Sequence, residues 1–316
     1  MKIDKPKISF LIALYNKEKY IKECINSCLN QTYNEIEICV VDDGSTDNSL
    51  SIIYDLYSTN NKVKIFSFKH NKGKVFAYNK AYDLSTGKYF ALVGADDVNL
   101  ENRIDVLLTK MIQENANMAY GNLIKTDESL KEIELFDGIN SDISLKRILR
   151  NNFISGGASL FDKNLADYVF PISTEIKFED WWISIISILK FKTTFVNTPV
   201  ALYRLNDLND NLISNQSLKL VVENNKRLYK RDFVIYDKLS VMLEEDNIGF
   251  REEVKRYIIL NSLYKKNYIE ESFFIRMNNL SQVKQFGFNR WYLETFLISF
   301  FGSKFDYFKK FFKNVL

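Results

Sequence analysis

The first hundred residues alternate between short apolar runs and amphipathic segments, and this rhythm restricts the chain to few folds. Spacing and composition predict strands at Lys7–Leu14, Ile36–Val41, Val63–Phe68 and Tyr89–Val93. They predict helices at Glu18–Gln31, from a cap at Ser45 or Thr46 to Ser58, and at Lys74–Leu84. Strands and helices that alternate with short loops predict a doubly wound, Rossmann-like α/β fold with a mostly parallel sheet.

Polar residues stand where three of these strands end. They are Tyr15 and Asn16 after the first strand, Asp42, Asp43 and Gly44 after the second, and Asp96 and Asp97 after the fourth. Ligands of such sheets bind beyond the carboxyl ends of the strands. We therefore expect three separate loops to converge on one crevice.

Composition excludes several classes of protein. The net charge of +3 is too small to favour a nucleic-acid partner. The one histidine, His70, rules out a histidine-based metal cage, so a general base is expected to be a carboxylate. Cys24, Cys28 and Cys39 have neither zinc-site nor redox spacing and are expected to be buried thiols in a reducing cytosol. The polar start and the lack of a long uncharged apolar run predict neither a signal peptide nor a membrane span.

The pattern changes in the second half of the chain. After a predicted helix at Glu101–Asn115, the predicted strands are near Met118–Ile124, Ala158–Phe161 and Thr194–Val196, and helices are predicted near Ile143–Leu149 and from Phe178. From about Gln216 the chain is predicted to be helical. We therefore predict two parts: residues 1–215, whose pattern changes near residue 115, and a helical region over residues 216–316.

Each acidic pair has an ordinary structural interpretation beside a functional one. Asp42-Asp43 suits a turn and helix cap, but a carboxylate at a strand end can also accept the imide hydrogen of uracil. Asp96-Asp97 suits a solvated loop, but two acids also suit Mg²⁺ held against substrate phosphates. Glu179-Asp180 suits the first turn of any helix, but could also deprotonate an acceptor hydroxyl. Trp181 and Trp182 provide either core packing or a stacking face for a sugar.

The order and spacing of the motifs favour the functional interpretations. The motifs are Ala13-Leu14-Tyr15-Asn16, Val41-Asp42-Asp43-Gly44-Ser45-Thr46-Asp47, Asn71-Lys72-Gly73, Asn79-Lys80-Ala81, Gly94-Ala95-Asp96-Asp97 and Glu179-Asp180. As a set, over about residues 7–205, they resemble the family 2 glycosyltransferases. The resemblance implies a GT-A fold and inverting transfer from a nucleotide-diphosphate sugar, usually UDP-linked. It also implies that residues 1–215 are a catalytic domain with a nucleotide-sugar half (about 1–115) and an acceptor half (about 116–215).

The resemblance also implies roles for individual residues. The implied donor-site residues are Ala13, Tyr15, Asp42, Asp43, Lys74, Asp96 and Arg204. Asp97, with Asp96, would hold Mg²⁺ or Mn²⁺ against the diphosphate. Asp180 would be the catalytic base, with Glu179 as its neighbour. Gly156, Gly157, Trp181 and Trp182 would lie on the acceptor side.

Three positions depart from the family pattern. Gly94 stands where many relatives have an aspartate, Tyr78 where an arginine often stands, and Asn206 where a histidine often follows the Tyr203-Arg204 pair. The missing acid and histidine lead us to expect weak metal affinity. They also keep open a catalytically degenerate nucleotide-sugar-binding protein as an alternative, although Glu179-Asp180 argues against it. A sugar nucleotidyltransferase is a further alternative, but the glycine-rich, basic signature after the first strand is missing.

The C-terminal region carries an aromatic stripe. Phe301, Phe305, Phe308, Phe312 and Val315 recur at helical spacing, with Lys304, Lys309, Lys310 and Lys313 elsewhere around the helix. Two interpretations stay open: a helix that docks on the catalytic domain or forms a homo-oligomer contact, and an in-plane membrane helix. With a glycan or lipid-linked acceptor, the second predicts a cytoplasmic protein held peripherally at the inner face of the plasma membrane.

Overall fold

The computed structural model describes residues 5–136, 143–205, 218–245, 251–269, 274–276, 298 and 302–304. The chain divides into two compact units, Met1–Asp210 and Asn211–Leu316. The boundary predicted near residue 215 and Asn206 both lie outside the described residues. The division of the catalytic domain into donor and acceptor halves stays a prediction.

The first unit is built on a mixed sheet with nine strands among the described residues. The strands are β1 (Ile8–Leu14), β2 (Ile36–Asp42), β3 (Val63–Ser67), β4 (Tyr89–Gly94), β5 (Val98–Asn99), β6 (Met118–Thr126), β7 (Glu132–Phe136), β8 (Ser159–Asp162) and β9 (Thr193–Arg204). Their order is β3-β2-β1-β4-β8-β6-β9-β5, and β7 pairs with β6. The β3-β2-β1-β4 part is parallel, which confirms the predicted doubly wound arrangement.

Helices cover this sheet. Those of the first unit are α1 (Ile21–Leu29), α2 (Ser49–Tyr57), α3 (Lys74–Leu84), α4 (Arg103–Glu114), α5 (Leu145–Arg150), α6 (Lys163–Val169) and α7 (Glu179–Lys190), and a 3₁₀ turn covers Gly156–Ala158. On α1, Ile21, Cys24, Ile25 and Cys28 form the buried stripe that helical spacing predicts. β1 and β2 are buried along nearly their whole length and are mostly apolar, because both faces of the sheet are covered here.

The register of the parallel strands brings their carboxyl ends level. Leu14 at the end of β1 pairs with Asp42 at the end of β2, which in turn pairs with Ser67 of β3. On the other side of β1, Ala13 lies opposite Gly94 of β4. Since the chain runs from β1 to β2 on one side and reaches β4 on the other, the crevice between them is a topological switch point.

Several strands and one helix start differ from the prediction. β9 reaches from Thr193 to Arg204, far beyond the predicted Thr194–Val196, because it pairs along most of β6. The short β5 and the exposed β7 were not predicted, since neither has a strand-like apolar pattern of sufficient length.

The predicted capping role of Ser45 or Thr46 is wrong: α2 begins at Ser49.

The described part of the second unit is helical, with α8 (Leu218–Glu245), α9 (Arg251–Ile269) and a 3₁₀ turn (Gly302–Lys304). Within it, the buried Lys265 of α9 donates to Asp232 and Tyr236 of α8, at 2.6 Å each. None of the described helices combines the length and the apolar composition needed to cross a bilayer. The predicted aromatic stripe lies largely outside the described residues.

Candidate active site

Asn16 connects the β1–α1 and β2–α2 loops at the carboxyl edge of the sheet by hydrogen bonds. This residue has a left-handed backbone (φ 50°), which Asn tolerates better than most residues. Its backbone N–H donates to Ser45 Oγ at 3.0 Å, and its side-chain oxygen accepts from the backbone N–H of Thr46 at 2.8 Å. Ser45 and Thr46 therefore tie the β2–α2 loop to the β1–α1 loop instead of capping a helix.

The Asp42-Asp43 pair is buried and holds neighbouring loops. Asp42 accepts from Ser67 Oγ at 2.9 Å. Asp43 accepts from the backbone N–H groups of Lys72 and Gly73, at 2.8 Å each, and so orders the loop before α3. Both carboxylates thus have a structural role in this state. Their predicted contact with a nucleoside stays a prediction, as do those of Ala13, which is half-buried, and Tyr15, which is 42% exposed.

The two acids of the second pair have different partners. Asp96 forms an ion pair with Lys17, whose Nζ lies 2.6 Å from Asp96 Oδ2. Asp97 is 9% exposed, and its Oδ1 accepts from the backbone N–H of Arg204 at 3.1 Å. No donor to Asp97 Oδ2 is present among the described residues. The pair therefore consists of one compensated carboxylate and one carboxylate that is short of partners.

The electrostatics of Asp97 suit a cation. Burial raises the pKa of Asp97 well above its usual range, and the neighbouring Asp96 raises it further. The Arg204 N–H, Lys17 and Arg103 act in the opposite direction but do not outweigh burial. A buried carboxylate in this position gains from a divalent cation, and Mg²⁺ needs only one or two carboxylates when phosphates supply the other ligands. No cluster of three or more potential metal ligands is found in the part of the chain that the structure describes.

Arg204 closes the site from β9. Its side chain is buried, and its Nε donates to the backbone oxygen of Asp96 at 2.9 Å. The guanidinium also pairs with Glu23 of α1, donates to the backbone oxygen of Glu128 and stacks 4.7 Å from the ring centre of Tyr20. Arg204 therefore fixes the Asp96-Asp97 backbone. Its predicted contact with the donor stays a prediction.

Gly94 leaves room for the carboxylate of Asp97. A Cβ atom on Gly94 would lie 2.6 Å from Asp97 Oδ2 and 3.3 Å from Asp96 Oδ1. Any larger residue here would force Asp97 to move. Asp97 can therefore adopt its position in this protein because residue 94 is a glycine and not the aspartate of many relatives.

The Gly156-Gly157 turn lies beside both Asp97, the predicted metal ligand, and Asp180, the predicted base. A Cβ on Gly156 would lie 2.9 Å from the Asp180 Cβ, and one on Gly157 would lie 3.6 Å from Asp97 Oδ2. Asp180, in the first turn of α7, thus flanks the same turn as Asp97, which follows β4. Two acids separated by more than eighty positions in the sequence meet at one place.

Glu179 is buried beside Asp180 and faces α3. Its Oε2 lies 3.1 Å from Lys74 Nζ, in an ion pair without a well-directed hydrogen bond. Burial raises the pKa of Glu179, Lys74 opposes this, and Asp180 adds to it. Tyr78 lies nearby and donates to the Val93 backbone oxygen at 3.2 Å. Its pKa is raised well above the usual value by burial, then by Glu179, Asp97 and Asp180, so the residue at the family's arginine position is a neutral phenol.

The two tryptophans do not form one stacking surface. Trp181 is 3% exposed, and its Nε1 donates to the Ile148 backbone oxygen at 2.6 Å, which ties α7 to α5. The indole is therefore part of the core, and its predicted acceptor role stays a prediction. Trp182 is partly exposed, and its acceptor role stays a prediction.

Two charged residues of the site were missed by the sequence analysis. Lys17 carried no assigned role although it reaches Asp96. Arg103 is fully buried, and its guanidinium donates to the backbone oxygens of Leu92 (3.1 Å) and Ser159 (2.8 Å). Burial lowers the pKa of Arg103 to about 10. The signal for it was present, since Arg103 stands on the apolar stripe of α4, four positions before Leu107.

Curated relatives align with part of this chain. GlyG, a glycosyltransferase of Streptococcus pneumoniae, is 37% identical over 122 residues, which are 39% of this chain and 40% of GlyG. A chondroitin synthase of Pasteurella multocida is 37% identical over 109 residues, which are 34% of this chain and 11% of the synthase. The chain thus spans less than half of the length of either relative.

Solved structures share the fold over nearly the whole chain. Residues 1–349 of S. aureus TarS, in complex with UDP-GlcNAc, match with a TM-score of 0.60 at 15% identity, covering 93% of this chain and 81% of that chain. The mannosyltransferase PcManGT of Pyrobaculum calidifontis, in complex with GDP-Man and Mn²⁺, matches with a TM-score of 0.57 at 13% identity, covering 91% and 77%. These likenesses confirm the predicted GT-A fold with a helical C-terminal region.

The family model described as glycosyl transferase family 2 matches residues 9–170, just over half of the chain. The matched region contains the ends of β1, β2 and β4 and the glycine turn, so it includes the acidic pair Asp96-Asp97 and its surroundings. This chain belongs to the glycosyl transferase family 2.

Proposed function

We propose that this protein is an inverting glycosyltransferase that moves a sugar from a UDP-linked donor to a hydroxyl group of a glycan or lipid-linked acceptor. The family supports a nucleotide-sugar glycosyltransferase, and TarS, which shares the fold, has been solved with UDP-GlcNAc. The single observation that carries the proposal is the placement of Asp180 beside Gly156 and of Asp97 beside the neighbouring Gly157. A diphosphate-facing acid and a base candidate in one crevice are what direct displacement requires.

The proposed chemistry assigns one proton transfer and one charge stabilisation. Asp180 accepts the proton of the acceptor hydroxyl as its oxygen attacks the anomeric carbon, and the nucleoside diphosphate departs from the opposite face. Mg²⁺ or Mn²⁺ held by Asp97, with Asp96 as the second predicted ligand, would neutralise the charge that develops on the leaving diphosphate. Arg204 fixes the backbone of both acids so that they keep their position during the reaction.

The degenerate alternative, a nucleotide-sugar-binding protein without transfer activity, is favoured by two departures from the family pattern, the missing acid at Gly94 and the missing histidine at Asn206. The close fit of Gly94 against Asp97 argues that this position is adapted to the site and not merely eroded. We also propose a role in cell-surface polysaccharide synthesis, in line with the chondroitin synthase relative. Peripheral contact with the inner face of the plasma membrane belongs to the same proposal.

Replacement of the base tests the proposed function directly. In the presence of Mn²⁺ we expect the wild-type protein to hydrolyse or transfer from at least one of a panel of UDP- and GDP-sugars that also raise its melting temperature. Asp180→Asn should lower this turnover by about 10²–10⁴-fold, the usual contribution of a general base. UDP affinity, measured by calorimetry, should stay within a factor of about three because Asp180 does not contact the nucleotide in this proposal.

Two outcomes would contradict it. Wild-type turnover in Asp180→Asn would remove Asp180 as the base. Donor binding with no turnover of any sugar in the panel, even with an acceptor mixture, would favour the binding-protein alternative.

A further inference from the structure

Lys17 and Asp96 form a largely buried ion pair at the centre of the site. The Lys17 Nζ lies 2.6 Å from Asp96 Oδ2, and the two side chains are only 17% and 14% exposed. The backbone N–H of Lys17 donates to Ser49 Oγ at 2.8 Å, which anchors the residue at the start of α2. An ammonium group is a compact, strongly hydrated charge, so its partial burial needs a fixed anionic partner. Lys17 is therefore held in place at both ends.

This pairing changes the charge that a metal ion meets. With Gly94 in place of a third acid, the ammonium offsets one of the two carboxylates at the strand end, where the buried guanidinium of Arg204 also donates to the Asp96 backbone oxygen at 2.9 Å. Because the ammonium already contacts Asp96 Oδ2, a divalent cation that uses Asp96 meets a competing positive charge on the same carboxylate, whereas one that uses only Asp97 does not share its ligand with Lys17.

We propose that Lys17 is a built-in counter-cation of the acidic pair, which competes with a divalent metal ion for Asp96 and contacts the donor's diphosphate when the donor binds. Lysine binds phosphate as a point charge, and a diphosphate offers it more negative charge than Asp96 alone. Donor binding is then assisted by the metal without depending on it completely. The diphosphate contact rests on the proposed function, but the competition with the metal does not.

Titration with Mn²⁺ alone tests the competition. Free Mn²⁺ is followed by electron paramagnetic resonance for the wild type, Lys17→Met, Lys17→Gln, Lys17→Arg and Lys19→Met. Lys19 is exposed, lies two positions along the same loop and provides the same change of charge. We expect both neutral variants at Lys17 to bind Mn²⁺ at least about fivefold more tightly than Lys19→Met, and Lys17→Arg to resemble the wild type. Equal or weaker Mn²⁺ binding by the folded neutral variants would overturn the competition.

Calorimetry with UDP and GDP tests the diphosphate contact. In EDTA we expect the wild type to bind one of these nucleotides measurably, and Lys17→Met to bind it at least about tenfold more weakly. Saturating Mn²⁺ should reduce that difference to about threefold, because the metal then supplies the missing charge. Equal affinities of wild type and Lys17→Met in EDTA would overturn the contact. If the wild type binds neither nucleotide even with Mn²⁺, the nucleotide-sugar proposal fails, while the Mn²⁺ titration still decides the competition.

Discussion

Buried carboxylates at the two edges of the same sheet differ in the hydrogen bonds and ion pairs that the protein provides for them. At the amino edge, Glu37 near the start of β2 is 3% exposed and accepts from Ser9 and Thr86, with Lys64 at 3.0 Å. At the carboxyl edge, Asp97 is similarly buried but has a hydrogen bond to one oxygen only, from the Arg204 backbone. The sheet thus carries one acid that is fully compensated by the protein and one that is not.

The pKa values of the two acids express this difference. Burial alone would raise the pKa of Glu37, but hydrogen bonds from the Thr86 backbone, Ser9, Lys64 and the Thr86 hydroxyl lower it from 4.5 to about 2. Burial raises the pKa of Asp97 well above its usual range. A buried acid whose two oxygens both receive hydrogen bonds contributes to folding. A buried acid with a hydrogen bond to one oxygen only, such as Asp97, favours binding of a ligand at the expense of stability.

Removal of the compensated acid should produce the largest effect on stability. The pKa of Glu37 is lower in the folded state, so its contribution is present above about pH 4.5 and is lost as the pH falls toward 2. We expect Glu37→Gln to lower the free energy of unfolding at pH 7 by about 3 kcal/mol. Folding lowers the pKa of Glu37 from 4.5 to about 2, and each pKa unit corresponds to about 1.36 kcal/mol. Urea unfolding at pH 7 and near pH 3 measures this, and the cost should be smaller at the lower pH.

The exposed Glu35, two positions earlier, provides the matched control. Glu35→Gln should change stability by less than about 0.5 kcal/mol at either pH. A cost for Glu37→Gln that does not depend on pH would show that the side chain acts through packing alone.

Removal of the uncompensated acid should have the opposite sign. Because the pKa of Asp97 is higher in the folded state, its contribution is present at low pH and is lost as the pH rises above its ordinary range. Without metal at pH 7, we therefore expect Asp97→Asn to stabilise the protein by about 1 kcal/mol. With saturating Mn²⁺ and UDP the order should reverse, since only the wild type then gains binding energy.

Thermal unfolding with and without these ligands measures the reversal, and Asp83→Asn, which removes an exposed carboxylate from α3, is the control. If Asp97→Asn destabilised the ligand-free protein, the contrast between the two edges would be broken. Asp97 would then be a structural acid like Glu37.

The sequence predicted the donor half of the fold more accurately than the chemistry of its acids. The bounds of α3 were predicted correctly, and those of β1 and β2 to within one residue, because apolar spacing and strand-end loops determine them locally. Glu37 and Asp97 look alike in sequence, since each is an acid beside an apolar run. Their difference arises from Thr86 and Arg204, which are far away in sequence and meet them only in the folded sheet.

The acceptor half was harder to predict for the same reason. The long β9 depends on its pairing with β6, and the burial of Trp181 depends on the backbone of α5. Neither partner can be identified from local spacing. By contrast, the Glu179-Asp180 start of α7 was predicted correctly because acids favour the first turn of a helix.

Lys74 offers the smallest and most specific test of the contrast between the edges. Glu179 is buried like Glu37, but its one described cation, Lys74, is 46% exposed and makes no well-directed hydrogen bond to it. Burial raises the pKa of Glu179, and Lys74 limits that rise. Removing Lys74 should raise the pKa further, so the stability that Glu179 loses with rising pH should be larger in Lys74→Met than in the wild type.

We expect the stability of Lys74→Met to equal that of the wild type near pH 4 and to fall below it by less than about 1 kcal/mol at pH 8. Urea unfolding across this range measures the difference. Lys74→Arg should restore the wild-type dependence, and in the Glu179→Gln background the Lys74→Met change should have no pH-dependent effect. A deficit that persists in that background would mean that Lys74 acts on another group, with Asp180 the nearest acid to examine. If the stability of Lys74→Met were lower than that of the wild type by the same amount at all pH values, Lys74 would act through the packing of α3. Glu179 would then resemble Glu37, as an acid that does not depend on Lys74 for compensation.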